Sequence, residues 1–327
     1  MRRVQLDLKS DPGRDAFLAL AAAADVVIES FRPGVMDRLG IGWEALHATN
    51  PGLVLCSTTG FGQTGPRADW AGHDINYLAV GGYLHCSGRD ERGGPALAGA
   101  TIADSAGGGL QAVAAICAAL AARAETGEGT HLDVSIADGV LSLMSLAVDE
   151  YLAEGTQPGP RHGLLTGRYA WYDLYEAADG GWLAVGAIEP RFFANLCRAL
   201  GCGHWADHQY DDEAVDAMRA DFAAAFATRG RDDWAAELGP ADTCVSAVLD
   251  IPEVVADEGV WANDYFVEVE DDAGETQRVV GTPIRMSETP LQSSATAPDL
   301  GQHSDEILSE AGYSAAEIEE FRAAGTV

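Results

Sequence analysis

Leu53-Val54-Leu55-Cys56-Ser57-Thr58, running into Thr59-Gly60-Phe61-Gly62-Gln63-Thr64-Gly65-Pro66, is the stretch that decides the fold. The first six residues read as a β-strand, and the glycine-rich run after them reads as the loop it empties into. A glycine-rich loop after a parallel strand lies at the carboxyl edge of its sheet, where open α/β folds bind ligands. Upstream, Val26-Val27-Ile28 between Asp25 and Glu29 is a short strand apolar on both faces, the pattern of a covered parallel sheet. Gly13 to Ala24 is an alanine-rich helix, and Val4-Gln5-Leu6-Asp7-Leu8 alternates as a strand. Downstream, Ser105 to Ala124 is a helix so small and apolar that burial is expected, and Gly107-Gly108-Gly109 lets another backbone come close. His131 to Ile136 is a further strand, followed by a helix through Leu143 and Tyr151.

Gly155-Thr156-Gln157-Pro158-Gly159-Pro160 is the clearest linker signal. Beyond it Tyr172–Glu176 and Trp182–Gly186, with a turn at Asp179-Gly180-Gly181, predict an antiparallel pair. Helices are expected from Arg191 to Leu200 and from Asp212 to Thr228, and a helix pair broken near Gly312 from Ser304 to Ala324. No fixed-period repeat is visible. These elements give an α/β chain with a second domain.

The 327 residues (34.3 kDa) are 47% hydrophobic, enough for a real core, but 51 Asp and Glu against 20 Lys and Arg leave a net charge of −31. Lys9 is the sole lysine. So acidic a chain is a poor partner for phosphate backbones or anionic membranes, so neither nucleic acid nor membrane is expected as a partner. Carboxylates that hold water and hydrated cations suit a cytoplasmic protein of a salt-loving cell; a GC-rich genome replacing Lys by Arg is the plainer alternative. No stretch reads as a membrane span, and Met1-Arg2-Arg3 leads into polar sequence rather than a signal core. Cys56, Cys86, Cys117, Cys197, Cys202 and Cys244 are scattered, with no C-x-x-C spacing, and read as reduced packing residues.

The chemistry-bearing residues are polar groups set in apolar sequence: Gly72-His73-Asp74-Ile75-Asn76-Tyr77, Ile102-Ala103-Asp104-Ser105 and Gly186-Ala187-Ile188-Glu189-Pro190. Each has a purely structural explanation. Asp104, His73-Asp74 and Glu189 all stand where a helix N-cap would. Together they supply a histidine and two carboxylates, a general acid–base set. Gly60-Phe61-Gly62 is only a fragment of a dinucleotide fingerprint, and no metal box or P-loop is present.

Ile28-Glu29-Ser30-Phe31-Arg32-Pro33-Gly34, Arg38-Leu39-Gly40-Ile41, Thr59 to Pro66 and Gly72 to Tyr77 resemble the CoA-transferase class III (CaiB/BaiF) superfamily, and within it the α-methylacyl-CoA racemases. The similarity runs to Leu300-Gly301-Gln302-His303-Ser304-Asp305-Glu306-Ile307-Leu308. It implies an α/β fold: a Rossmann-like large domain (1–135 plus 275–327), a linker (136–171), a smaller α+β domain (172–260) and a return linker (261–274). It further implies interlocked homodimers, with the active site between one subunit's large domain and the other's small domain. Relatives begin with a further βα unit of about fifty residues that carries an inner strand and a CoA-contacting arginine. The short start is read as a late-called start or truncation that leaves the catalytic residues in place.

By position, His73 and Asp104 resemble the racemase's two acid/base residues and Glu189 the carboxylate that supports the histidine. Asp74 and Tyr172 resemble further active-site residues, Arg38 matches a CoA-holding arginine, and Gly60 and Gly62 belong to the substrate-side loop. Inversion at the weakly acidic α-carbon of a thioester needs a base on each face of a planar enolate. Backbone N–H groups of the helix following Asp104 are the expected oxyanion donors. No cofactor is implied, since CoA enters as part of the substrate. Two alternatives remain: a CoA transferase using Asp104 as nucleophile, and a catalytically silent acyl-CoA binder.

Overall fold

The computed structural model describes residues 1–270, 274–289 and 297–327. The chain divides into two compact units: Met1–Leu84, Leu97–Leu146 and Asp264–Val327 form the first, His85–Ala96 and Ala147–Asn263 the second.

In the first unit β1 (Val26–Glu29), β2 (Val54–Thr59) and β3 (Thr130–Ser135) make a parallel sheet in that order, in register from Val26↔Val54 to Thr59↔Ser135. The central strand is buried where it is most apolar, at Val54, Leu55 and Cys56. Edge strand β1 is not covered on both faces as its composition suggests: Ile28 stands 62% exposed. The preceding helix, Asp11–Ala22, starts where Ser10 accepts the Gly13 N–H (3.1 Å), with Pro12 in its first turn. Val4 to Leu8 does not form a strand. Its alternation half-buries Leu6 against Leu308 and Ile318 of the C-terminal helices, and Leu8 against the cluster around Leu46 and Leu53, while its backbone makes isolated bonds such as Asp7 N–H to Thr326 O (2.8 Å).

The helical run after Thr101 opens as a π-helix over Ala103–Leu110 and continues as an α-helix over Gln111–Thr126. Glycine is required here by close approach. A Cβ on Gly139, in the helix Ile136–Leu143, would collide with the Gly107 carbonyl, and one on Gly107 would lie 2.9 Å from Ile136 O. The expected burial of this run is not found, because Leu110 is 66% and Val113 58% exposed. At 24 residues with a mean hydropathy of 1.5, it is also long and apolar enough to cross a membrane, which corrects the reading that no stretch is.

The second unit holds the antiparallel sheet β4 (Tyr172–Glu176), β5 (Trp182–Gly186) and β6 (Val245–Ala247). Its first hairpin matches the expected boundaries, and Asp179 Oδ1 accepts the Gly181 N–H (3.0 Å) to set the turn. Helices Pro190–Ala199 and Val215–Phe226 cover the sheet around Trp171, Phe193, Phe222 and Phe226, all fully buried. The segment 136–171, expected as a linker, is shared out. Ala137 and Val140 pack in the first unit, whereas Tyr169, Ala170 and Trp171 sit in the core of the second. Of the expected return linker 261–274, residues 271–273 lie outside the described residues, as do residues 290–296 of the segment 275–327. The first unit is completed by the hairpin β7 (Phe266–Glu270) and β8 (Thr276–Val280) and by helices Ser304–Glu310 and Ala315–Ala323. All six cysteines are free.

Candidate active site

β2 ends at Thr59 and delivers the glycine loop to the carboxyl edge of the sheet. Gly60 has no room for a side chain, since a Cβ would meet the Tyr77 ring at 2.6 and 2.7 Å. Gly62 needs glycine for its conformation (φ 81°). The next N–H, of Gln63, donates to both carboxylate oxygens of Asp133 (3.1 and 2.9 Å), which pins the loop to β3. Beside the loop a cleft of about 550 Å³ opens, lined among others by Arg32, Thr59, Gly60, His73, Asn76 and Tyr77.

His73 is the N-cap residue of the helix Asp74–Val80, but through its backbone: its N–H donates to Asn76 Oδ1 (3.0 Å), and its carbonyl accepts the Asn76 N–H (2.8 Å). The imidazole is left exposed in the cleft. Asp104 is not a cap either. It is the second residue of the π-helix, and its N–H donates to Asp74 Oδ1 (3.0 Å). Partial desolvation, then the Asp74 charge, push the Asp104 carboxyl above the usual carboxylate range, against a smaller opposing pull from His73. Asp104 is exposed, so solvent screens these effects and only their direction is significant. The structure therefore brings His73, Asp74 and Asp104 together, with Gly60 and Gly62 in the adjoining loop.

One expectation changes. The first N–H groups of the helix are not free oxyanion donors, because Asp104 N–H serves Asp74 and Ser105 N–H serves Thr101 O (3.0 Å). Arg38, exposed at the end of the short helix Val35–Arg38, is not among the residues lining the cleft; Arg32 is. One group escaped the sequence reading altogether. Thr59 lines the cleft 7% exposed, and its hydroxyl has no hydrogen-bond partner among the described residues. Its only sequence signal is its place as the last residue of a strand that feeds a glycine loop.

In the second unit Glu189 precedes Pro190 at the start of its helix, yet its side chain makes no cap bond. The exposed carboxylate bears on Cys244, whose thiol is pushed up first by desolvation and then by the charge of Glu189. Tyr172 opens β4 and lines a separate cleft of about 500 Å³ with Arg161, Asp173, Gly186 and Cys244. Among the described residues no group of three or more His, Cys, Asp or Glu side chains is placed to hold a metal ion.

The sequence profile of CoA-transferase family III matches residues 1–304. The chain belongs to CoA-transferase family III. Its family III relatives include the α-methylacyl-CoA racemase of Homo sapiens, 34% identical over 321 residues, covering 97% of this chain and 82% of the relative. They also include the succinyl-CoA–D-citramalate CoA-transferase of Chloroflexus aurantiacus, 32% identical over 323 residues, covering 94% and 78%. Among solved structures, a CaiB/BaiF family protein from Brucella suis superposes with a TM-score of 0.80 at 31% identity, covering 94% of this chain and 81% of that one. The family III fold is thus that of the parallel-sheet unit and its smaller companion. Racemases and CoA transferases stand at comparable identity to the chain.

Proposed function

We propose that this family III protein is an isomerase that inverts the α-carbon of 2-methylacyl-CoA thioesters. The observation that carries the reading is the placing of His73 and Asp104 on either side of Asp74, whose carboxylate holds the Asp104 N–H (3.0 Å). One is an exposed imidazole in the cleft, the other a carboxyl with raised proton affinity that lies within reach of the His73 charge. In one direction the first group takes the α-proton, breaking the C–H bond and leaving a planar enolate. The second group then forms the new C–H bond on the opposite face. A carboxyl of ordinary acidity is a poor proton donor near neutrality. The raised proton affinity of Asp104 brings it closer to that task. Glu189 remains the proposed supporting carboxylate, and Arg38, Asp74 and Tyr172 the proposed substrate contacts. No cofactor beyond the CoA of the substrate enters this scheme. A homodimer is part of the same proposal. The uncovered apolar side chains of Leu110 and Val113 support it, and sedimentation of Leu110→Asp against wild type tests it.

The second reading, CoA transfer with the Asp104 carboxylate attacking the thioester, is favoured by the transferases among the relatives. One experiment separates them: a single enantiomer of a 2-methylacyl-CoA incubated in D2O and molar KCl, with and without a free acid acceptor. Deuterium at Cα with loss of optical purity supports the racemase. CoA appearing on the acceptor without exchange supports the transferase. Binding with neither outcome means a silent acyl-CoA binder.

A further inference from the structure

The peptide unit between Gly72 and His73 is held by both of its polar atoms. Its carbonyl accepts the Tyr77 hydroxyl (2.6 Å), and its N–H donates to Asn76 Oδ1 (3.0 Å). Both side chains come from the first turns of the helix that His73 caps. An asparagine reaching back from the third helical position is half of a capping box. The other half runs backbone to backbone, from Asn76 N–H to the His73 carbonyl, so the imidazole takes no part in the cap.

The peptide needs holding because Gly72 precedes it. Glycine leaves the backbone wide freedom, and any rotation of this peptide plane changes the φ of His73 and swings its imidazole. Tyr77 is fit to resist that. It is 6% exposed, packs edge-on against Phe61 with ring centroids 5.2 Å apart, and fills the space that side chains on Gly60 or Gly72 would occupy. Burial, then the charge of Asp104, push its phenol up, so it stays a protonated donor.

We propose that Asn76 and Tyr77 are positioning residues: they clamp the Gly72–His73 peptide and thereby aim the imidazole of His73. The proposal rests on the reading of His73 as an acid–base group. A misaimed group costs rate more than binding, and displacements near 1 Å can cost about 10²-fold.

The test is α-deuterium exchange of a 2-methylacyl-CoA by the full chain in molar KCl. Tyr77→Phe, which keeps the ring, and Asn76→Leu, which keeps the branching at Cγ, are each expected to lower kcat by about tenfold with KM within about twofold. Asn76→Asp retains the acceptor oxygen and is expected to restore most of the rate. Introduced into His73→Ala, neither Tyr77→Phe nor Asn76→Leu should cost anything further, because there is no imidazole left to aim. Wild-type kcat in both single variants, or losses that multiply with His73→Ala, would overturn the clamp while leaving His73 as a base. A His73→Ala variant with wild-type exchange would overturn the acid–base reading and the clamp with it.

Discussion

The two units solve the burial problem differently. The second closes on itself: Trp171, Phe193, Phe222 and Phe226 are fully buried in one continuous core, and the Trp171 indole N–H reaches Gln209 O (2.6 Å). The first, among its described residues, has smaller separate clusters beside a narrow sheet. Yet it is the unit with the divided core that carries His73 and Asp104. The proposed proton-transfer pair and the large continuous core thus lie in different units, so damage to that core should be separable from damage to the pair.

The sharpest probe of that contrast is Trp171→Ala. Removing a fully buried, hydrogen-bonded indole should cost about 3–5 kcal/mol of second-unit stability, read from denaturant unfolding. A loss below about 1 kcal/mol would mean that the second core is not the rigid one. Next come His73→Ala and Asp104→Ala, each expected to cut racemisation by about 10²-fold or more with little change in melting temperature. If either racemised at the wild-type rate, the two-base assignment would fail. Salt tests the acidic surface of both units. At 0.01 M the carboxylates of a chain with net charge −31 repel over about 30 Å, against about 3 Å at 1 M. Dialysis out of molar KCl should lower the melting temperature; equal melts at both salt levels would remove the halophilic reading.

The smallest expected effect concerns Asp104 alone. Its proton affinity is raised in the folded chain, so folding favours the protonated form. That contribution is fully present below the unfolded carboxyl's range and is lost as pH rises through the folded value. Asp104→Asn should therefore raise stability slightly at pH 7, and the gain should vanish on acidification. A destabilised Asp104→Asn at pH 7 would show that the carboxylate is held by favourable contacts.

Local pattern made much of this legible. The alternation of Tyr172–Glu176 and Trp182–Gly186 around Asp179-Gly180-Gly181 fixes strands, register and turn together, because all three depend on neighbouring residues. The same alternation at Val4 to Leu8 reports only that one side is buried; it cannot say whether a strand lies alongside, and none does. The small apolar residues of Ser105 to Ala124 likewise announce a helix without naming what covers it. In the site, residue types and order brought out His73, Asp74, Asp104 and the glycine loop. The engaged N–H groups of Asp104 and Ser105 stayed hidden, as did the orphan hydroxyl of Thr59 and the grip of Asn76 and Tyr77 on the peptide before His73. Each is a bond or a vacancy set by the folded path of the chain, and no spacing of residue types encodes it.

Where Gly139 backs onto Gly107, nothing but hydrogen fits between two helices, and Asp104 sits less than one turn from that contact on the same helical run. The address of the proposed acid–base carboxyl is therefore set by a clearance as well as by the bond to Asp74. A single added methyl at Gly139 would act as a shim, lifting the run and carrying Asp104 with it, although every group that touches a proton would still be present. For this fold, tolerance to substitution should be measured in free space as well as in chemical similarity, and two residues without side chains belong to the machinery as fully as those that have them.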